Sequence, residues 1–196
     1  YCMGLTSINI PNSIESIGSY AFSSDYYGGH NTHHLTTVYI TDLKTWCNIE
    51  WDDYSAFDRA HNLILNGKNI TDLVIPNSIT EIKDNAFYYC SGINKVIIPH
   101  SVTIIGESAF KNCTGLKEIT IGSSVEEIEY NAFEGCDSIQ TVYCKPTTPP
   151  CSGNPFEYYD DENREYTSPI IYVPKSAIEV YKEEWWEEEY IKEGDF

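Results

Sequence analysis

The sequence predicts a solenoid, a stack of similar coils, because one pattern recurs three times at an interval of 23 residues. The three copies span residues 70–92, 93–115 and 116–138. Each copy alternates apolar and other residues, continues with Pro or Gly and a Ser, and closes on Ala-Phe-x-x-Cys. Since each repeat has to bury its apolar face against its neighbours, we expect one coil per 23 residues and one continuous core.

A period of about 20–29 residues is typical of a leucine-rich-repeat solenoid, whose coils contribute short parallel strands to a mainly β or α/β structure. Weaker copies flank the regular block. One precedes residue 23, a distorted one restarts at Leu35 and closes at Ala56-Phe57, and a proline-rich one runs from Ile139 to Phe156. We predict a solenoid over residues 1–156, interrupted by insertions at 23–34 and 41–69, and an acidic C-terminal capping segment over residues 157–196.

The third copy shows how one coil is expected to form. Ile119, Thr120 and Ile121 alternate inward, outward and inward, which is the period of a half-buried strand. Gly122 takes the place where the other copies have the proline that ends a strand. A second short extended segment follows, and the Ala-Phe pair bends the chain back. We predict eight inward apolar residues in this coil: Leu116, Ile119, Ile121, Val125, Ile128, Ala132, Phe133 and Cys136.

The chain starts on Tyr1-Cys2, which match Tyr89-Cys90 near the end of a regular copy. We therefore expect the sequence to be part of a longer protein, with a leader or an anchor upstream left open. It contains no apolar run of the roughly 18 residues that cross a bilayer, so we predict no membrane insertion of this fragment.

The charge is strongly acidic, at −18 overall. From Glu157 onward there are thirteen acidic residues against four basic ones. Such a surface opposes binding to nucleic acids and to anionic membranes, since both need Lys and Arg to displace counterions. We interpret the acids as a solvated surface that keeps a long stack soluble, with an acidic binding site as the alternative.

The cysteines fall into two groups. Cys2, Cys90, Cys113 and Cys136 occupy one slot of the repeat, and we predict that they are buried core residues rather than metal ligands or redox groups. Cys144 and Cys151 flank a proline-rich loop of a length that could close as a disulfide in an oxidising compartment, and the sequence leaves open whether it does. Cys47 has no evident partner, so the cysteine pattern leaves the compartment open.

The pattern Ile-Pro-x-Ser-Ile/Val-x-x-Ile-x-x-x-Ala-Phe-x-x-Cys resembles the BspA-type leucine-rich repeat of bacterial surface proteins. The resemblance implies a helical segment at residues 42–46, a hairpin at 63–68 and a closing strand and helix from Ile171 onward. It also implies an extracellular, adhesive role without catalytic residues. Asn66-Gly67 suits a two-residue hairpin turn, and Ser176 with Glu179 forms a capping-box pattern for a helix reaching to about Tyr190.

Candidate partner contacts lie at the outward positions of the strands, because the inward positions belong to the core. We predict two columns of outward residues, in which an apolar stripe has charged neighbours, a pattern that suits protein recognition. The alternative is that β-branched and aromatic residues simply favour strands. One column is Asn9, Tyr39, Val74, Ile97, Thr120 and Tyr143, and the other is Ser7, Thr37, Asp72, Lys95, Glu118 and Thr141.

The first insertion holds His30, His33 and His34 beside Tyr26-Tyr27. We interpret it as a solvated loop, because this histidine spacing without a cysteine pair is a weak zinc pattern. Its tyrosines would suit stacking on sugars, and the chain has sixteen tyrosines in all.

No enzyme signature is present in the sequence, whether a phosphate loop, a nucleophile elbow or a zinc-protease motif. We expect neither a cofactor nor a metal. Our leading hypothesis is a non-catalytic binding module of a secreted or cell-surface bacterial protein, recognising a protein of the host or of neighbouring cells through the sheet face. The alternatives are a carbohydrate-binding module and a structural spacer.

Overall fold

A computed structural model describes residues 5–19, 21–22, 35–52, 57, 61–160, 165–185 and 189–196. Its first strands are β1 (Ser7–Asn9), β2 (Ser16–Ile17), β3 (Thr37–Ile40), β4 (Glu50–Trp51), β5 (Asn62–Leu65), β6 (Lys68–Asn69), β7 (Asp72–Val74), β8 (Glu81–Ile82) and β9 (Lys95–Ile97). The later strands are β10 (Ile104–Ile105), β11 (Glu118–Ile121), β12 (Glu127–Ile128), β13 (Thr141–Cys144), β14 (Tyr158–Asp160), β15 (Glu165–Thr167), β16 (Ile170–Pro174) and β17 (Ile191–Gly194). The helices are α1 (Leu43–Cys47) and α2 (Ile178–Trp185), and a 3₁₀ turn spans Lys175–Ala177.

The predicted solenoid of short parallel strands is confirmed. The long strands of the coils form a four-stranded sheet of order β1-β3-β5-β6 and a six-stranded sheet of order β7-β9-β11-β13-β16-β17. The second strands of the regular coils form a separate sheet of order β8-β10-β12, and β2 pairs with β4. Every strand pair is parallel except β5–β6 and β14–β15, so each coil places its strand beside the same strand of the preceding coil.

All eight residues predicted to point inward in the third copy are buried. The phenylalanines of successive coils stack face to face, because each occupies the same slot one coil further along. The ring centroids of Phe87 and Phe110 lie 5.2 Å apart, and those of Phe110 and Phe133 lie 5.3 Å apart with planes inclined by only 1°. The stack continues to Phe156 at 4.9 Å. These aromatic contacts join the coils along the whole regular block.

The bend around each Ala-Phe pair depends on two residues with positive φ, a conformation that Asn and Gly adopt most easily. The residue before Ala is the first and the residue before Cys is the second. At the second position of the third coil, Gly135 has a φ of 72°, and an added Cβ would lie 2.3 Å from the Asn112 side-chain oxygen. The two sets are Asn85, Ser108 and Asn131, and Tyr89, Asn112 and Gly135.

The repeated cysteines are buried thiols, as predicted for the three that the structure describes. The Cys113 thiol donates to the carbonyl of Phe87 at 3.1 Å, and the Cys136 thiol donates to the carbonyl of Phe110 at 3.0 Å. Burial raises the pKa of the Cys113 thiol well above its ordinary value. The Cys113 thiol therefore stays protonated, and Cys113 and Cys136 each donate one hydrogen bond to the preceding coil.

Cys144 and Cys151 are free thiols in the structure. The Cys144 sulfur lies 3.3 Å from the hydroxyl of Tyr181, and the Cys151 sulfur lies 3.5 Å from the carbonyl of Gly153. Burial raises the pKa of both thiols to about 12.

The predicted helix and hairpin of the second insertion are confirmed. Helix α1 begins after Asp42, whose carboxylate accepts a hydrogen bond from the Thr45 N–H at 2.9 Å and caps the helix. The hairpin turns at Asn66-Gly67, with φ values of 50° and 79°. Its first strand, β5, is at the same time a parallel neighbour of β3. The hairpin therefore grows out of a coil of the sheet.

The C-terminal strand and helix are confirmed, but the helix does not reach Tyr190. The described helix ends at Trp185, Tyr190 lies in a turn, and β17 then pairs with β16 as the last strand of the sheet. Ser176 lies inside the 3₁₀ turn, and Pro174 at its N-cap makes no side-chain capping bond. The chain turns back because Ile191 is buried beside Ile171, which covers the end of the core.

Candidate binding surface

Four of the six outward residues predicted for the main binding column lie side by side on consecutive strands of the six-stranded sheet. Strand register places Val74 beside Ile97, Ile97 beside Thr120, and Thr120 beside Tyr143. Val74 is 55% exposed and the other three are half-buried. The column continues to Tyr172, which sequence reasoning missed although Ile171-Tyr172-Val173 alternates like a repeat strand.

Tyr39 lies in a different part of the surface. It belongs to the four-stranded sheet, where its neighbours are Asn9 on one side and Ile64 on the other. Tyr39 and Val74, predicted to share one column, lie on different sheets because the hairpin of β5 and β6 stands between their strands. The predicted column is therefore two columns, one on each sheet.

The charged column beside it is largely neutralised by internal pairing. Asp72, Lys95 and Glu118 lie side by side on adjacent strands, and the Lys95 ammonium lies 2.6 Å from a Glu118 carboxylate oxygen. Hydrogen bonding and attraction to Glu118 raise the pKa of Lys95, with a smaller contribution from Asp72. Both Lys95 and Glu118 are partly exposed, so the pair contributes little to stability and leaves Asp72 as the open carboxylate at the end of the row.

An aromatic patch occupies the C-terminal end of the six-stranded sheet; we define it as Tyr143, Tyr172, Ile170 and Phe196. The rings of Tyr143 and Tyr172 stack with centroids 5.3 Å apart, and Phe196 meets Tyr143 edge-on at 6.5 Å. Phe196 is 48% exposed and Ile170 is 43% exposed. The Lys145 ammonium lies 5.2 Å from the centre of the Phe196 ring, an attractive cation–π distance.

A row of acids lies on the side of the coils formed by the second strands. The N–H of Glu107 donates to carboxylate oxygens of both Asp84, at 2.8 Å, and Glu129, at 3.0 Å. Burial, followed by the nearby charge of Asp84, raises the pKa of Glu129. Across the described ranges, no three His, Cys, Asp or Glu side chains form a group suited to a metal ion. No described helix has both the length and the apolar character needed to cross a membrane.

The histidines and tyrosines predicted for the first insertion, His30, His33, His34, Tyr26 and Tyr27, fall outside the described residues.

The repeated sequence matches a known family over most of the chain. A model of the BspA type leucine-rich repeat region matches six copies, over residues 1–45 and 60–179. The chain belongs to the BspA type leucine-rich repeat family. This membership agrees with the parallel coils and the repeated Ala-Phe turn.

Three solved structures of bacterial leucine-rich repeat proteins are similar to this chain. A leucine-rich repeat protein from Bacteroides ovatus is 19% identical; the match covers 98% of this chain and 43% of that protein, with a TM-score of 0.46. A leucine rich cell surface protein from Faecalibacterium prausnitzii is 20% identical; the match covers 89% of this chain and 56% of that protein, with a TM-score of 0.41. A leucine-rich repeat protein from Eubacterium ventriosum is 16% identical; the match covers 74% of this chain and 61% of that protein, with a TM-score of 0.36.

The chain thus spans between 43% and 61% of the length of these three proteins. No curated protein matches this sequence significantly.

Proposed function

We propose that this chain is a non-catalytic binding module of a secreted or cell-surface bacterial protein, and that it recognises a protein partner through the outward face of the six-stranded sheet. The observation that carries the proposal is the aromatic patch. Tyr143 contacts both Tyr172 and Phe196 at the surface of a chain with a net charge of −18. Membership of the BspA type family supports both the binding role and the location.

The physical reason is that exposed aromatic side chains are the groups that most often anchor protein interfaces. Aromatic rings bury a large area at a small cost in conformational entropy, and they form most interface hot spots. The Phe196 ring packs over Gly194, where an added Cβ would lie 2.3 Å from the ring. The patch is therefore built by the fold and is not a set of scattered apolar residues.

The test compares adhesion of beads that carry the wild-type chain with beads that carry Tyr143→Ala/Tyr172→Ala, on host epithelial cells and on bacteria of neighbouring species. We expect the double variant to lose most of the adhesion, because each aromatic anchor contributes about 2 kcal/mol or more. Tyr130→Ala is the matched control, since Tyr130 is 76% exposed but lies away from the patch. Unchanged adhesion of the double variant would contradict recognition through the aromatic patch and would favour the role of a structural spacer.

The alternative is a carbohydrate-binding module, for which Tyr26 and Tyr27 were the predicted contacts. A glycan array separates it from protein recognition. Saturable binding to a glycan that is abolished by Tyr26→Ala/Tyr27→Ala, and not by the double variant of the patch, would favour the carbohydrate role.

A further inference from the structure

The parallel sheet of the coils is broken between β6 and β7. In the described part of the chain, strand β7 is the edge of the six-stranded sheet and pairs only with β9. Strand β6 is likewise the edge of the four-stranded sheet and, among the described strands, pairs only with β5. Only Ile70 and Thr71 join the two strands, and among the described residues no strand pairs with both edges. A gap bounded by two open strand edges therefore lies in the middle of the stack.

The backbone of β7 offers unused hydrogen-bonding groups to this gap. The N–H of Ile75 and the carbonyl of Thr71 are bonded toward β9, at 3.0 and 3.1 Å. Backbone groups of successive strand residues point to alternate edges, so Asp72 and Val74 direct their N–H and C=O groups toward the gap. No described residue pairs with these four groups. An open strand edge of this kind is a template for an added strand.

The gap is also a groove with an apolar floor and a volume of about 360 Å³. This is within the range of about 300–1,000 Å³ that is usual for binding clefts. Its walls come from α1, the hairpin and β7. The lining residues are Leu43, Leu65, Lys68, Asn69, Ile70, Thr71, Asp72, Leu73 and Val74.

The side chains beside the edge specify the sequence of an added strand. Asp72 and Val74 are exposed on the outward face, and Leu73 between them is buried. A strand beside β7 places one outward side chain next to Asp72 and the next outward side chain next to Val74. Opposite charge favours Lys or Arg at the position of the added strand that lies next to Asp72, and the chain's net charge of −18 favours the same choice. The inward residue between them meets Leu73 and Leu65 and has to be apolar.

We infer that the groove between β6 and β7 binds an extended segment of a partner protein, with a basic–apolar–apolar pattern, as an extra strand on the edge of β7. The inference rests on the proposed protein-binding function and adds to it a site separate from the aromatic patch. Backbone pairing supplies the affinity, and Asp72 and Val74 supply the preference for one sequence.

The probe is a fluorescein-labelled peptide of threonine, lysine, two valines and threonine, blocked at both ends, with binding followed by fluorescence anisotropy. We expect saturable binding below about 1 mM. A peptide N-methylated at its first valine and its last threonine should not bind, because with the lysine beside Asp72 these two amides face β7 and donate to its carbonyls. A peptide with glutamate in place of lysine should bind about fivefold more weakly, as expected for about 1 kcal/mol of unfavourable pairing.

Variants of the protein test the same contacts from the other side. Val74→Pro removes an N–H that faces the gap without breaking the ladder to β9, and should weaken binding at least about fivefold. Val74→Thr keeps the N–H and should bind within about twofold of the wild type. Asp72→Lys should reverse the preference, so that the glutamate peptide binds more tightly than the lysine peptide.

Several outcomes overturn the inference. They are a lack of saturable binding, equal binding of the N-methylated peptide, and wild-type affinity of Val74→Pro. If melting shows that Val74→Pro is misfolded, the charge reversal at Asp72 decides. A dimer that the peptide dissociates would assign the groove to a second copy of this chain and not to a partner protein. Tyr172→Ala should leave peptide binding unchanged, so failure of the groove and failure of the aromatic patch are distinguishable.

Discussion

The regular coils of residues 70–138 and the interrupted coils of residues 5–69 reach the same stack by different contacts. In the regular block, a backbone bond recurs with the period, so that the Phe87 N–H donates to the Ala109 carbonyl at 2.7 Å. At the boundary with the interrupted part, the indole N–H of Trp46 donates to the corresponding Ala86 carbonyl, at 2.9 Å. A unique side chain thus takes over a bond that elsewhere comes from the repeated backbone.

The cysteine slot shows the same substitution. Cys113 and Cys136 donate to carbonyl oxygens of the preceding coil, whereas the Cys90 sulfur lies 3.4 Å from the Nε2 of the buried His61. The difference teaches that a buried coil boundary has to satisfy its polar groups whether or not the sequence repeats there. In the regular block, repeated backbone and cysteine hydrogen bonds satisfy these polar groups. In the interrupted block, individual residues such as Trp46 and His61 satisfy them.

The largest loss of stability is expected in the regular block, for the substitution Phe110→Ala. Phe110 is fully buried between Phe87 and Phe133, so its loss leaves a cavity that both neighbouring coils line. We expect a loss of about 3–5 kcal/mol in the free energy of unfolding, measured by urea denaturation. Tyr130→Ala should change it by less than about 0.5 kcal/mol because the side chain is exposed. Wild-type stability of Phe110→Ala would mean that the inward face is wrongly assigned.

The second largest loss of stability is expected from removing the hydrogen bond between the Trp46 indole and the Ala86 carbonyl. Trp46→Phe keeps most of the buried ring but leaves the Ala86 carbonyl without its indole donor, so we expect a loss of about 1–3 kcal/mol. Trp51→Phe is the matched control, because no described residue accepts a hydrogen bond from the buried Trp51 Nε1. Removing that N–H should be neutral or stabilising. Equal losses in the two variants would show that ring volume, and not the bond to Ala86, decides stability there.

The third prediction compares the free energies of local unfolding of the regular and the interrupted blocks, measured by cysteine labelling. Burial raises the pKa values of Cys90 and Cys113, so both thiols should resist a disulfide reagent in the native protein at pH 8. In variants that keep one of the two cysteines, we expect Cys90 to react several-fold faster, since it faces the block with fewer repeated contacts. Labelling rates over a urea series give the free energy of each opening. The same free energy at both positions would mean that the stack opens as one unit.

The smallest effect concerns pH and the acidic row. Because the pKa of Glu129 is raised in the folded chain, folding favours its protonated form. Its stabilising contribution is full below the ordinary value of 4.5 and is lost as the pH rises through the higher folded value. Glu129→Gln should therefore raise the melting temperature at pH 7, by the equivalent of about 0.2–1 kcal/mol, and have little effect at pH 4. Glu126→Gln is the control. A loss of stability at pH 7 would contradict the direction of this shift.

Much of the fold could be predicted from the sequence because the signals are local and repeated. The inward slots, the Asn66-Gly67 turn and helix α1 each depend on residues within a few positions of one another. The binding surface could be predicted only in part. Val74, Ile97, Thr120 and Tyr143 are neighbours because they share one unbroken period, and Tyr39 is displaced because a hairpin intervenes.

By itself, the sequence determined the period, the coil and the identity of the core residues. These follow from the alternation of apolar residues along each strand and from the residues that form the turns, because a solenoid repeats the same local structure in every coil. Only the tertiary structure decided that Trp46 completes the regular block, that β17 covers its far end, and that β6 and β7 leave an open edge. Such features join residues whose separation in the chain is not a period, so their pairing depends on how the whole stack aligns.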